Sequence, residues 1–427
     1  MIVSPLWRGR RYAVLGLARS GAAAARALIA GGATVVAWDS DAARREGIQG
    51  AQIADLDTID LAGFDALLVS PGVPLNTHPL AAKARAAGVA ITGDIELFAE
   101  ARPALPAHKV VGITGTNGKS TTTALVTHIL KAAGMPALMG GNIGLPILAQ
   151  APLPAGGVYV LELSSYQIDL TRSLDCDVAV LLNITPDHLD RYDGFDGYVA
   201  SKARLFAMQA PEHEAVIGIG DAPSATIARS LSARAEHLTK IAPGVCLDQT
   251  RWPSLQGPHN AQNALAAIAV ARALDVSEAD IDRGLETFAG LPHRMEKVRE
   301  VAGVAYVDDS KATNPESTAP ALGAFPRVHW IVGGRAKGDD LDACRPYFDH
   351  VVRAYTIGEA GPRFAAILQD EMAVEEAGTL AAAVSSAASR AAPGDTVLLS
   401  PAAASFDQFR DYEHRGEAFR DAVGALA

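Results

Sequence analysis

The chemistry in this chain is densest in the run Thr114-Gly115-Thr116-Asn117-Gly118-Lys119-Ser120-Thr121. Glycines at these spacings let backbone N–H groups wrap around phosphate oxygens. Lys119 adds positive charge, and Ser120 is placed to reach Mg²⁺. Ile113 stands where G-x-x-x-x-G-K-[ST] carries its first glycine, so the loop is of the shorter G-T-x-G-K-[ST] kind. The plain alternative is a glycine turn beside a surface lysine. An apolar run before the loop, and Leu125, Ile129 and Leu130 at helical spacing after it, supply the strand–loop–helix setting that a phosphate loop needs.

Further candidates stand at the ends of other apolar runs. Glu162, before Leu163-Ser164-Ser165, is an acid at a strand's carboxyl end and is suited to a magnesium ion. Residues 183–192 contain His188, a second possible ligand, although a lone histidine is more often solvated or part of a core. Lys202 reads by default as a helix-surface lysine. Near the start, Gly16-Leu17-Ala18-Arg19-Ser20-Gly21 is a strand–turn–helix with Ala18 in place of the middle glycine of G-x-G-x-x-G. Asp39 ends the next strand as a plausible ribose or base reader, and Ser70-Pro71-Gly72 adds a second small-residue turn facing the same crevice. Glycines that merely allow helix–strand packing explain the first turn equally well.

The elements that must position these residues alternate strand and helix. Apolar runs at 12–15, 34–38, 66–69, 110–113, 158–161, 178–182, 329–332 and 396–399 do not alternate in polarity. They therefore predict strands buried on both faces, hence parallel sheets covered by helices. Breaks at Arg102-Pro103-Ala104 and Leu291-Pro292 divide the chain into expected α/β domains at 1–103, 104–291 and 292–427. Hydrophobic residues make up 49% and charged residues 20%, which excludes global disorder. The net charge of -11 argues against a nucleic-acid partner. Three scattered cysteines indicate neither a disulfide framework nor a zinc site, and a reducing cytoplasm is the expected setting. No export signal and no membrane insertion are expected.

Residues 115–121, 162–165, 183–192, His259-Asn260, 291–294, 309–314 and 400–409 together resemble the Mur ligase family over essentially the whole chain. Gly93-Asp94-Ile95-Glu96-Leu97-Phe98 and Ser405-Phe406-Asp407-Gln408-Phe409 point to its D-glutamate-adding branch. The resemblance implies an N-terminal Rossmann-like domain, a central phosphate-loop ATPase-like domain and a C-terminal Rossmann-like domain. It implies an ATP- and Mg²⁺-dependent ligase joining D-glutamate to UDP-N-acetylmuramoyl-L-alanine in cell-wall synthesis, acting as a monomer. The UDP substrate would meet Arg19, Ser20, Asp39, Ser40, Ser70, Pro71, Gly72 and Asn142. ATP would meet Gly115, Thr116, Asn117, Gly118, Lys119, Ser120, Thr121, Asn263, Arg294 and Asp309. Two magnesium ions would involve Ser120, Glu162, His188 and Lys202, the last carbamylated, which overturns the surface-lysine default. Glutamate would meet Thr313, Lys337, Ser405, Phe406 and Tyr412, and Lys311 would join Lys119, His188, Lys202 and Arg294 in catalysis. The chain departs from the family pattern at Asp41, in the short stretch 215–257, and at Tyr412.

Amide formation from a carboxylate requires a better leaving group than oxide. ATP supplies one through an acyl phosphate, which the amine attacks to give a tetrahedral intermediate. Closure of the third domain would then exclude water. A folylpolyglutamate-type ligase is the nearest alternative, but about 110 residues precede this phosphate loop. A ligase adding a diamino acid would carry D-N-P-R, which is absent. An NAD-dependent enzyme leaves the phosphate loop unexplained. A non-catalytic nucleotide-binding regulator has no need for Glu162, His188 and Lys202 together.

Overall fold

A computed structural model describes all residues except 243, 245, 246, 337, 339 and 427. Lys337, expected at the glutamate site, lies outside the described residues. The chain forms two compact units, Met1–Val245 with Gln262–Leu285, and Cys246–Ala261 with Glu286–Ala427.

The first sheet of the first unit contains β1 (Arg11–Leu15), β2 (Thr34–Trp38), β3 (Gln52–Ile53), β4 (Ala66–Val69) and β5 (Ala90–Thr92). Their order is β3-β2-β1-β4-β5, and every pairing is parallel. Helices α1 (Arg19–Ala30), α2 (Ala42–Glu46), α3 (Pro79–Ala86) and α4 (Asp94–Ala101) connect and follow these strands. The chain leaves β1 to one side and returns on the other at β4, so a crevice opens beyond the carboxyl ends of β1 and β4. Gly21 permits the close packing there, since a Cβ on it would stand 1.9 Å from the Gly16 carbonyl oxygen.

The second sheet contains β6 (His108–Thr114), β7 (Ala137–Gly141), β8 (Gly157–Glu162), β9 (Val178–Leu181), β10 (Glu214–Gly218) and β11 (Leu238–Ile241). Its order is β11-β10-β9-β6-β8-β7, again all parallel. Around it lie α5 (Lys119–Ala132), α6 (Ser165–Asp169), α7 (Gly194–Ala207), α8 (Ala222–Ser230), α9 (Pro258–Ala273) and α10 (Glu278–Thr287). The central strands β6, β8 and β9 are almost wholly buried, as unbroken Val/Ile/Leu runs require between two helical layers.

Helix α4 ties the first two sheets together. The Glu96 carboxylate accepts from the Arg172 N–H at 2.6 Å, the Ser173 N–H at 3.0 Å and the Ser173 hydroxyl at 2.9 Å. Phe98 meets Tyr159 of β8 edge-on, with ring centroids 5.1 Å apart. The two sheets consequently share one continuous apolar core.

The second unit holds β12 (Glu296–Val301), β13 (Val304–Asp308), β14 (Val328–Gly333), β15 (Val351–Ile357), β16 (Val374–Gly378) and β17 (Thr396–Leu399) in the order β12-β13-β17-β14-β15-β16. Only the edge pair β12–β13 is antiparallel. Helices α11 (Pro315–Gly323), α12 (Gly361–Leu368), α13 (Leu380–Arg390) and α14 (Tyr412–Gly424) cover its faces. The expected three-part α/β architecture with mostly parallel sheets is thus present. Strands β3, β5, β7, β10 to β13, β15 and β16 lie outside the apolar runs picked from the sequence. Several are short or edge strands with little burial, such as β3, which is exposed, and β16, which is partly so.

Replacing Glu96 by Ala should lower the urea midpoint of the first unit, at a cost of about 1 kcal/mol, because two partly buried N–H groups lose their acceptor. An unchanged midpoint would show that α4 is not the tie between these sheets.

Candidate active site

The phosphate loop is built by the end of β6 and the start of α5. Gly118 caps α5 in a left-handed conformation with φ +85°, and a Cβ there would lie 2.3 Å from Asn263 Oδ1. Residues after β9 hold the loop in shape. The Thr116 N–H donates to the Asn183 carbonyl at 2.9 Å, and the Asn117 N–H donates to Asn183 Oδ1 at 2.9 Å. The Thr185 N–H donates to the Thr116 hydroxyl at 3.0 Å, and the same hydroxyl lies 3.2 Å from the Tyr198 hydroxyl. Lys119 folds back over its own loop, its Nζ donating to the carbonyls of Gly115 at 2.9 Å and Thr116 at 2.7 Å. Asn263 Oδ1 accepts from the Thr122 hydroxyl at 3.2 Å, which fixes it against α5. Ser120 is buried at the first turn of α5, and Thr121 is half-buried beside it.

Glu162 closes β8 and is buried. Its Oε1 accepts from Asn142 Nδ2 at 2.9 Å, whereas Oε2 has no hydrogen-bond partner among the described residues. Glu162 pairs with Ile113 of β6, the strand that leads into the phosphate loop, and an orphaned buried carboxylate oxygen there is a donor suited to a hard divalent cation. His188 adopts φ +55° ahead of a short 3₁₀ turn and lies 3.4 Å from Asp187 Oδ2, its ring packed near that of Tyr166.

Lys202 corrects the helix-surface reading of its position. It is 1% exposed, and its Nζ donates to the Gly115 carbonyl at 2.8 Å, 4.6 Å from the ring centre of Tyr198. The reason is helical geometry, because Tyr198 and Leu205 stand four residues before and three after it on the buried face of α7. Burial, reinforced by Lys119, holds this amine well below the usual lysine range against the opposing pull of Asp187, Asp169 and Glu162. A neutral amine is the form that reacts with electrophiles such as CO₂.

A cavity of about 770 Å³ opens at the crevice beyond β1 and β4. Its lining includes all eight residues expected to meet the UDP substrate: Arg19, Ser20, Asp39, Ser40, Ser70, Pro71, Gly72 and Asn142. Asp39 is more tightly engaged than a free ribose reader. Its carboxylate accepts from the N–H groups of Leu17 at 2.6 Å and Asp41 at 2.9 Å. Although burial acts to raise it, these bonds and Arg44 hold the carboxyl below its ordinary range. Asp41, where the family pattern has a base, caps α2, and Arg44 lies 3.3 Å from it and lines the cavity. The guanidinium of Arg191 holds the second small-residue turn through the Val73 carbonyl at 2.7 Å. Asn142 belongs to both features, lining the cavity and holding Glu162.

In the second unit, Asp309 follows β13. Its carboxylate accepts from the Ser400 hydroxyl at 2.8 Å and the Met295 N–H at 3.2 Å. Burial pushes its carboxyl up to about 7, aided by Asp308 and opposed by Ser400, Met295 and Arg294. Lys311 sits 3.7 Å over the ring of Tyr412, a cation–π contact. Thr313 is half-buried, Ser405 is buried, and Phe406 is 64% exposed. Sequence reasoning missed Arg415, which is 1% exposed. Its guanidinium donates to the Ser310 hydroxyl at 3.0 Å and to the carbonyls of Ser310 at 2.8 Å and Ala403 at 3.0 Å. It thereby clamps the loops after β13 and β17, which carry Asp309, Lys311, Thr313 and Ser405. Burial lowers its pKa to about 10, against the pull of Asp407, Asp308 and Asp309. Its polar position on an otherwise apolar helix face, before Phe419 and Val423, is the signal in the sequence. Asn183 directly follows the apolar run 178–182, and its grip on Asn117 needs the fold to be seen.

A phosphate loop at the carboxyl edge of a parallel sheet, with an unpartnered buried carboxylate oxygen close by, defines an α/β nucleoside-triphosphate-using enzyme. The Mur ligase middle domain matches residues 113–244, and the Mur ligase glutamate ligase domain matches residues 293–403. The chain is 62% identical to a UDP-N-acetylmuramoylalanine–D-glutamate ligase of Novosphingobium aromaticivorans, over 100% of this chain and 97% of the relative. It is also 62% identical to a ligase of the same name from Sphingopyxis alaskensis, over 100% of both. The chain belongs to the Mur ligase family, and is an ATP-dependent amino-acid ligase. Among solved structures, a UDP-N-acetylmuramate-alanine ligase from Thermotoga maritima has the same fold, with a TM-score of 0.61 at 16% identity over 97% of this chain and 99% of that one. No helix among the described residues is long and apolar enough to cross a membrane.

Two outcomes check these assignments. Lys202→Ala should abolish ligation, and short carboxylic acids should partly restore it; full activity without rescue would return Lys202 to a packing role. Asp309 has a folded-state pKa above its unfolded value of 3.8, so it stabilises the fold least once pH exceeds about 7. Asp309→Asn should therefore raise the melting temperature at pH 8 relative to the unaltered protein, and give little gain at pH 5. Equal shifts at both would contradict a buried, proton-binding carboxyl.

Proposed function

We propose that this chain uses ATP to join D-glutamate to UDP-N-acetylmuramoyl-L-alanine, a step in making peptidoglycan precursors. The observation that carries the reading is the gathering of a phosphate loop, the orphaned Glu162 oxygen and the buried Lys202 amine at one end of the second sheet. The full-length likeness to ligases bearing that substrate name supports the choice of substrates. On this reading residues 1–103 hold the UDP substrate, 104–291 hold ATP and 292–427 hold the amino acid. The buried free thiols of Cys176 and Cys344 suit a reducing cytoplasm, where the enzyme acts as a monomer.

In the first step a terminal carboxylate oxygen of the UDP substrate attacks the γ-phosphorus, and the bond to ADP breaks. Two anions meet, so the chain must supply fixed positive charge and N–H groups rather than covalent help. The loop at residues 115–121 wraps the phosphates, with the N–H groups of Thr116 and Asn117 given to Asn183 to hold its shape. Lys119 exchanges the carbonyls of Gly115 and Thr116 for phosphate oxygens. Arg294 adds positive charge, while Asn263 and Asp309 hold the nucleotide. Ser120 and Glu162, with His188 and carbamylated Lys202 as further ligands, would hold magnesium, which when bound would supply charge neutralisation for the phosphates. Carbamylation adds the neutral Lys202 nitrogen to the CO₂ carbon with loss of one proton, which turns an amine into an anionic ligand. In the second step the glutamate amine attacks the acyl carbon, and the carbon–oxygen bond to phosphate breaks. Lys311, Thr313, Lys337, Ser405, Phe406 and Tyr412 orient the glutamate. The likeness to Escherichia coli FolC, TM-score 0.56 at 22% identity over 78% of this chain and 92% of that one, is one of fold. The first sheet's own cavity favours the UDP-substrate reading over a folate one.

Phosphate release from ATP should require both UDP-N-acetylmuramoyl-L-alanine and glutamate, with D-glutamate preferred over L-glutamate. Lys119→Ala should lower kcat by roughly 100-fold or more. Release without an acceptor, or preference for a folate substrate, would reject the reading.

A further inference from the structure

The motif Gly93-Asp94-Ile95-Glu96-Leu97-Phe98 contains one residue that neither the fold nor the proposed chemistry uses. Asp94 opens α4 and is 3% exposed, yet neither carboxylate oxygen makes a well-formed hydrogen bond among the described residues. Glu96, two residues on, satisfies its own carboxylate completely, so the motif's role as a tie does not explain Asp94. An unpartnered buried carboxylate is costly, and an asparagine would fill the same space more cheaply.

Its surroundings give it a use. Asp94 lies where α4 meets α1 and α6, near the Ser20 hydroxyl and the Gln167 amide. Both of those side chains line the cavity beyond β1 and β4. Burial pushes the Asp94 carboxyl up to about 6, while Gln167, the helix N–H groups and Ser20 pull it back toward the charged form. The Gln167 amide has a fixed sense, because its Oε1 accepts from the Ser164 N–H at 3.2 Å and the Ser164 hydroxyl at 3.1 Å. Its NH₂ end therefore remains for Asp94 and the cavity. A Ser20 hydroxyl turned to donate to Asp94 presents only lone pairs to the cavity.

We propose that Asp94 is a positioning residue for the uridine nucleotide, acting through Ser20 and Gln167 to set a hydrogen-bond acceptor and a donor on the cavity floor. The inference rests on the reading of this cavity as the UDP-substrate site. An acceptor at Ser20 selects a donor group of the nucleoside, such as a ribose hydroxyl or the uracil N–H, and disfavours a phosphate oxygen.

The test measures binding of UDP and of ADP to the full-length protein by calorimetry, together with thermal melting. Asp94→Asn should weaken UDP about tenfold, leave ADP unchanged and melt no lower than the unaltered protein. In a Ser20→Ala, Gln167→Ala background, Asp94→Asn should add no further loss. Unchanged UDP affinity, equal weakening of ADP, or a fully additive effect in that background would overturn the inference. Should Asp94→Asn fail to fold, Ser20→Ala alone decides: it should weaken UDP and spare ADP, and unaltered UDP binding sinks the proposal. If the unaltered protein does not bind UDP at all, the functional reading falls first, and this inference with it.

Discussion

The hydrogen bond from the Lys202 amine to the Gly115 carbonyl is the contact on which the site depends. A lysine with 1% exposure cannot keep its charge on ordinary terms, and Lys119 nearby makes that charge costlier still. The phosphate loop gains an anchor from inside the protein. Asn183 and Thr185 complete the restraint from the neighbouring strand end. The loop is therefore shaped before a nucleotide arrives, and little reorganisation remains for the reacting state.

Three carboxyls share a second property. Glu162, Asp94 and Asp309 are buried at the ends of strands or the start of a helix. Two of them keep oxygens without partners, and the third has its pKa lifted to about 7. Groups left in this condition destabilise a fold and tend to persist where chemistry or recognition uses them. Asn142 joins two of the regions by lining the cavity while holding Glu162, so a change at the cavity wall reaches the metal-binding carboxylate through one side chain.

The arrangement is stiffened by polar clamps as well as by its core. Glu96 fastens α4 to the turn at Arg172 and Ser173, and Arg415 fastens the loops after β13 and β17. Each spends a charged group on backbone atoms far away in sequence. The loops that Arg415 holds carry Asp309, Lys311, Thr313 and Ser405, proposed to bind substrates.

The sequence by itself determined the parallel sheets, the phosphate loop and the family. Unbroken apolar runs between helical stretches leave few other ways to bury backbone and side chains together. Glycines and a lysine at fixed spacing before a helix form a local structure whose geometry needs no distant partner. The small-residue turns at Gly16 and Ser70 were legible for the same reason. Only the tertiary structure decided that Lys202 is buried, that Asp39 is engaged by the Leu17 N–H, and that Arg415 and Asn183 are clamps. Only it left oxygens of Glu162 and Asp94 without partners. The physical reason is that protonation and hydrogen-bond satisfaction depend on which groups from distant segments share a site closed to water, and chain spacing does not carry that information.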